Sequence, residues 1–139
     1  MTLDDLYKAE LILIFGQNPA TNHPRMLSSL EKAKKNGAKV VSINPMKEAG
    51  LIRFKNPQTV KGIIGGGTEI SDLYLQLRIN EDVALLKAVM IKLFKISETR
   101  PEVLDNEFIS NKTAGFEEFK SDLMTNDLSA LVARTGLKE

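Results

Sequence analysis

The run Leu11-Ile12-Leu13-Ile14-Phe15, unbroken by any polar residue and stopped by Gly16, constrains this chain more than any other feature. A strand with one wet face alternates apolar and polar residues, whereas a continuous, β-branched-rich run is the pattern of a strand covered on both faces of a parallel sheet. Parallel neighbours need a crossover, and the next segment supplies one. Met26, Leu27, Leu30 and Ala33 recur at helical spacing, Lys34 and Lys35 complement the C-terminal end of the helix dipole, and Gly37 supplies a left-handed cap. Lys39-Val40-Val41-Ser42-Ile43 then reads as a second short strand ending at Asn44-Pro45. Strand, helix and strand within about 35 residues make a βαβ unit, for which right-handed crossover and parallel pairing are expected.

The rest of the chain extends this unit. Met46 to Lys61 carries Gly50, Pro57 and scattered charges without a clean period, and is read as a loop with one short helix or strand around Leu51 to Phe54. Ile63-Ile64-Gly65-Gly66-Gly67-Thr68 is a glycine-rich run, and Leu73 to Ile79 alternates like a third strand. From Asp82, the residues Val83, Leu86, Val89, Met90, Leu93 and Phe94 share one helical face, which is expected to pack on the sheet. Beyond Pro101 the pattern is helical in shorter pieces: 105–111, then Phe116, Phe119 and Leu123, then 127–133 closing at Thr135-Gly136. The expected fold class is α/β: one Rossmann-like, three-layer domain over residues 1–139, with a mainly parallel sheet and a helical C-terminal part.

Composition removes several function classes. With 19 basic and 18 acidic residues the net charge is +1, so the strong basic field of a nucleic-acid binder is missing and no nucleic-acid partner is expected. The balance hides an asymmetry, since residues 1–61 carry ten basic and five acidic groups and residues 62–139 carry nine and thirteen. The first half therefore favours a phosphate more than the second does. There is no cysteine, which excludes disulfides, thiolate zinc sites, iron–sulfur clusters and cysteine nucleophiles within this segment. A single histidine, His23, excludes a histidine-rich metal cage. The longest apolar stretch falls far short of the roughly 20 residues a membrane span requires. The acidic start Thr2-Leu3-Asp4-Asp5 is unlike a signal peptide, and a cytoplasmic location is expected.

In open α/β sheets ligands gather beyond the carboxyl ends of the strands, which directs attention to Gly16-Gln17-Asn18-Pro19-Ala20-Thr21-Asn22-His23-Pro24-Arg25. This loop leads into a helix N-terminus whose free amides attract anions. Gly16 allows a close turn, Asn18, Thr21 and Asn22 offer hydrogen bonds, and Arg25 can pair with phosphate. The three-glycine dinucleotide fingerprint is absent, which disfavours ordinary NAD binding. At the end of the second strand Asn44 holds the place where such folds commonly put an acid for ribose hydroxyls. Asn80-Glu81-Asp82 places carboxylates at the start of the long helix, as caps or as acceptors for a ligand N–H. On the residues alone, turn-building and capping remain open as the whole role of these side chains.

Taken together, these motifs resemble the molybdopterin oxidoreductase family, and its formate-dehydrogenase-like branch most closely. The resemblance rests on Gly16-Gln17-Asn18-Pro19, Asn22-His23-Pro24-Arg25-Met26-Leu27 and Gly37-Ala38-Lys39-Val40-Val41-Ser42-Ile43-Asn44-Pro45. It continues through Gly67-Thr68-Glu69-Ile70-Ser71-Asp72-Leu73-Tyr74-Leu75-Gln76-Leu77-Arg78, Asp82-Val83-Ala84-Leu85-Leu86-Lys87-Ala88, Glu107-Phe108-Ile109, Thr113-Ala114-Gly115-Phe116-Glu117-Glu118 and Thr135-Gly136-Leu137. The motifs cover nearly the whole chain in order.

The resemblance implies a domain of a larger catalytic subunit that binds molybdopterin guanine dinucleotide, with molybdenum or tungsten in the parent enzyme and that enzyme's remaining domains as partners. It implies that Gly16, Gln17 and Asn18 form the phosphate-side loop, that Asn44 lies by the guanosine ribose and that Asp82 receives the guanine N–H groups. A carboxylate accepts from both N1–H and N2–H of guanine, a pairing adenine cannot reproduce. Two departures stand out: the family often has an acid where this chain has Asn44, and a glycine-containing turn where Asn80-Glu81 precede Asp82. No catalytic residue and no metal ligand is assigned to this segment. The alternative is a stand-alone flavodoxin-like regulatory or interaction module whose polar loops are only turns. A small acid–base enzyme using Asp72, Glu81 and Asp82 is a weaker third reading.

Overall fold

A computed structural model describes residues 2–57 and 64–137. In chain order the elements are α1 (Leu3–Lys8), β1 (Leu11–Phe15), α2 (Pro19–Asn22), α3 (Pro24–Lys35), β2 (Lys39–Ile43), α4 (Ala49–Ile52), β3 (Arg53–Phe54), β4 (Thr68–Glu69) and β5 (Leu73–Leu75). They continue with α5 (Asp82–Ser97), a 3-10 turn (Pro101–Val103), α6 (Asn106–Lys112), α7 (Phe116–Met124) and α8 (Leu128–Thr135). The chain falls into two compact units, Met1–Gln76 and Leu77–Glu139. Among the described residues no helix is long and apolar enough to cross a membrane.

In the first unit, β1, β2 and β5 form a parallel sheet in the order β1-β2-β5. Ile12, Ile14 and Val40 point from it into a core shared with Leu27, Leu30 and Ala33 of α3, Leu51 of α4 and Ile70. α3 ends in a Schellman motif, the Ala38 N–H reaching the Ala33 carbonyl at 3.1 Å and the Gly37 N–H the Lys34 carbonyl at 3.0 Å. Ser42 is fully buried in β2, and its hydroxyl meets Ser71 Oγ at 2.6 Å; Ser71 in turn donates to the Leu51 carbonyl at 2.6 Å. A buried polar pair is thereby satisfied inside the sheet.

Three expectations change here. β1 is not covered on both faces: Leu11 and Leu13 are 57% and 49% exposed, as is Leu73 at 51%, so a continuous apolar run does not by itself guarantee a second covering layer. The third strand stops at Leu75 instead of running to Ile79, because its ladder partner β2 ends at Ile43. The segment around Leu51 to Phe54 holds both a helical turn and a strand, and β3 pairs antiparallel with β4 in a second, two-stranded sheet. Gly67 belongs to that hairpin, since at φ +77° any Cβ would lie 2.7 Å from the Phe54 carbonyl oxygen. Residues 58–63, which include the end of the expected loop and Ile63 of the glycine-rich run, lie outside the described residues.

The second unit is helical, as expected. α5 buries Ala84, Ala88, Ile91 and Phe94 with Leu123 of α7 and Leu131 of α8, and the Phe94 and Phe116 rings meet edge-on at 5.8 Å. Of the face expected to be buried, Phe94 is in this core and Met90 packs against it, whereas Val83, Leu86, Val89 and Leu93 are exposed. α5 is apolar nearly all round, so periodicity leaves open which stripe turns inward. Asp105 and Asp127 cap α6 and α8 through their side chains.

Candidate functional site

The carboxyl ends of the parallel strands are laid side by side by two backbone hydrogen bonds. The Gly16 N–H donates to the Ile43 carbonyl at 2.9 Å and the Asn44 N–H to the Leu75 carbonyl at 3.1 Å, carrying the ladder one residue past β1 and β2. Gly16 sits at φ +59° with open space where a Cβ would stand, so backbone conformation rather than crowding selects glycine there.

Above these tips lies one hydrogen-bonded cluster. Asn18 caps α2 by accepting from the Thr21 N–H at 3.3 Å, and its Nδ2 donates to Glu48 Oε2 at 2.6 Å. The Glu48 N–H donates to the Tyr74 hydroxyl at 3.1 Å, and that hydroxyl donates to the Met46 carbonyl at 2.6 Å. Asn44, only 8% exposed, accepts the Met46 N–H on Oδ1 at 3.1 Å. Gln17 Nε2 lies 3.2 Å from His23 Nδ1. The expected residues Gly16, Gln17, Asn18 and Asn44 therefore meet at the strand tips, with the side chains of Gln17 and Asn18 largely engaged inside the protein.

Two members of the cluster were not singled out from sequence. Glu48 lies in the segment without a period, and Tyr74 reads only as a strand residue. The available signal was positional, an acid four residues beyond the Asn44 strand end.

Beside the cluster, α3 opens with Pro24 as its first residue, and its cap residue His23 makes no side-chain capping bond. Pro24 has no N–H and the Met26 N–H is taken by the His23 carbonyl at 2.8 Å, so the Arg25 N–H is the amide among the first three residues of α3 that is left for an anion. Leu3, Gln17, His23, Pro24, Arg25, Met26 and Ser29 line a concavity of about 560 Å³ there, with the Arg25 side chain exposed at its edge.

Asp82 belongs to the second unit. It is the first residue of α5, exposed, its carboxylate making no hydrogen bond or ion pair among the described residues. Its neighbour Glu81 is turned aside, Oε2 lying 3.0 Å from Arg134 Nη2 as an ion pair not aligned as a hydrogen bond. Asn80 takes φ +70°, and the Glu81 N–H closes the turn on the Arg78 carbonyl at 3.2 Å. Asparagine tolerates that left-handed conformation, so the turn forms here without glycine.

Other carboxylates serve the fold. Asp72 Oδ2 accepts from Lys34 Nζ and from the Val40 N–H, each at 2.8 Å; the lysine first and the backbone amide second hold this carboxyl below its usual range. Glu31, buried on α3, accepts from Asn56 Nδ2 and Thr68 Oγ1 at 2.9 Å each and pairs with Lys35; the Asn56 bond chiefly holds its carboxyl low. Asp72 and Glu81 are thus engaged in ion pairs, unlike free acid–base groups. Among the described residues no group of three or more His, Cys, Asp or Glu side chains is placed to hold a metal.

A parallel sheet with helices packed on it and a polar cluster at its strand tips defines the class, an α/β fold. Comparison with solved structures agrees on the fold: acetylene hydratase from Pelobacter acetylenicus superposes with a TM-score of 0.68 and 24% identity, over 94% of this chain and 15% of that one. The family model for molybdopterin oxidoreductase matches residues 1–133, and the chain belongs to that family. An uncharacterized oxidoreductase of Mycobacterium tuberculosis is 45% identical over 139 residues, covering 99% of this chain and 18% of the relative. A formate dehydrogenase alpha subunit of Methanocaldococcus jannaschii is 33% identical over 119 residues, covering 86% of this chain and 14% of the relative. The chain thus spans less than a fifth of the length of these relatives. The expected fold class and family are borne out.

Proposed function

We propose that residues 1–139 form a binding module for molybdopterin guanine dinucleotide within a larger, formate-dehydrogenase-like, molybdenum- or tungsten-dependent oxidoreductase, and that the module places the cofactor without itself carrying out the reaction. Family membership supports the pterin cofactor, and the formate dehydrogenase subunit among the relatives supports the branch. The length of the relatives supports further domains as partners. The observation that carries the guanine-dinucleotide form is the donor set of the first unit. The Arg25 N–H at the start of α3 together with the Arg25 guanidinium suits a diphosphate, and the carboxylate and amide groups beside them suit a ribose.

When bound, the cofactor would supply the redox chemistry at its metal. The work left to this chain is to bind and orient. Gly16, Gln17 and Asn18 shape the phosphate-side turn, Gly16 by its left-handed backbone and Asn18 by fixing α2 against Glu48. Asn44 closes the ribose side by holding the Met46 amide. Asp82, its carboxylate without an intramolecular partner among the described residues, accepts the guanine N1–H and N2–H.

Titration of the chain with GDP, GMP and ADP tests this reading. Guanine nucleotides are expected to bind more tightly than ADP, and Asp82→Ala to erase the preference while leaving ADP binding unchanged. Equal affinity for guanine and adenine nucleotides, or none for either, contradicts it.

A further inference from the structure

We propose that Glu48, not the strand-end residue Asn44, is the acceptor for the ribose hydroxyls of the bound nucleotide; this rests on the nucleotide-platform reading above. Sheets of this kind need a hydrogen-bond acceptor for the ribose near the tip of the second strand. Asn44 is badly placed to be that acceptor. It is 8% exposed, its carbonyl oxygen already takes the Met46 N–H at 3.1 Å, and its other polar atom is a donor.

Glu48 has the opposite character. By position it caps α4, yet its side chain makes no capping bond. The carboxylate instead reaches toward the turn after β1, with Oε2 2.6 Å from Asn18 Nδ2. Its backbone is fastened to β5 through the Tyr74 hydroxyl at 3.1 Å. The side chain is half-buried, and Oε1 has no partner among the described residues. A fixed carboxylate with one free oxygen thus bridges the tips of β1 and β2, the crevice where a nucleoside lies in this fold class. Electrostatics divides the labour in the same way. A carboxylate repels a diphosphate but welcomes hydroxyl hydrogens, and the cationic Arg25 lies by the first turn of α3 instead.

A purely structural tether between Asn18 and Glu48 would give the same hydrogen bond, so the test must separate the two. Glu48→Gln keeps an acceptor for Asn18 but loses the charge and turns an amide donor outward. Isothermal titration of the 139-residue chain with GDP and with 2′,3′-dideoxy-GDP provides the comparison. The unmodified chain is expected to bind GDP about tenfold more tightly than the dideoxy form, the scale of a hydrogen bond to a charged group. Glu48→Gln should bind both alike, at the affinity the unmodified chain shows for the dideoxy nucleotide. Loss of both nucleotides together in Glu48→Gln, or a retained preference for GDP, overturns the proposal. So does equal binding of the two nucleotides by the unmodified chain, which needs no variant and leaves the platform reading standing. Failure of the unmodified chain to bind GDP at all overturns the platform reading and the role of Glu48 with it.

Discussion

Asp72 stands where the third strand of the sheet begins, and removing its carboxylate tests how the first unit is held together. Its own N–H donates to the Val40 carbonyl at 2.8 Å while its Oδ2 takes the Val40 N–H at 2.8 Å, so one residue satisfies both polar groups of a fully buried strand position. The same oxygen takes Lys34 Nζ at 2.8 Å, tying the last turn of α3 to the sheet. Asp72→Ala removes a hydrogen bond to a charged acceptor and leaves the Val40 N–H unpaired, a loss of about 2 to 4 kcal/mol before screening. The aspartate side chain is 30% exposed, so water weakens the lysine contribution and about 2 kcal/mol is the expected net cost. Asp72→Asn keeps an acceptor for Val40 and should cost about half as much, roughly 1 kcal/mol.

Both tyrosines, Tyr7 and Tyr74, lie in the first unit and there is no tryptophan, so tyrosine fluorescence during urea unfolding reports this unit alone. The pH dependence has a definite sign. Because Lys34 and the Val40 amide hold the Asp72 carboxyl below its unfolded value, the stabilisation is complete above that value, roughly pH 4, and is lost as pH falls through the lower folded value. The gap between the unmodified chain and Asp72→Asn should therefore close in acid. A gap that is constant with pH, or an Asp72→Ala variant as stable as the unmodified chain, refutes the assignment.

Gly16→Ala should cost roughly 1 kcal/mol by urea unfolding, the strain of a left-handed alanine with nothing to collide with; a loss several times larger contradicts the open space seen there. Gly50→Ala, which would drive its new Cβ into the Ala20 side chain, should cost about 1 to 3 kcal/mol despite the better helix propensity of alanine. Ala20→Gly in the same chain should return most of that loss, and additive losses in the double variant would refute the contact. Glu31→Gln should be less stable than the unmodified chain at neutral pH and equal to it in acid, since the Asn56 bond first, then Thr68 and Lys35, holds that carboxyl low. A gap that widens as pH falls would contradict this.

The βαβ unit was legible because each of its signals is local. β1 and β2 run over the expected residues, Leu11–Phe15 and Lys39–Ile43, and α3 begins at Pro24, the residue best suited to a first helical turn. The misreadings concern tertiary partners. How far β5 runs depends on where β2 ends, and which stripe of α5 is buried depends on Leu123 and Leu131, which lie far along the chain. The short elements α1, α2 and β4 are not legible because two to six residues carry too little periodicity to register. At the strand tips, Gly16, Asn18 and Asn44 could be placed because they flank strand ends. Glu48 and Tyr74 reach the cluster only through side chains that cross between elements.

The central claim is that the strand tips bind a guanosine nucleotide. Amide chemical shifts of the isotope-labelled chain, followed while GDP is added, test it most directly. The account predicts saturable shifts at Gly16, Gln17 and Asn18, at the first turn of α3 around Arg25 and Met26, at Asn44 and Glu48, and at Asp82. Shifts confined to the apolar concavity lined by Leu85, Val89, Leu93, Leu128 and Val132, or no saturable shift anywhere, would contradict it.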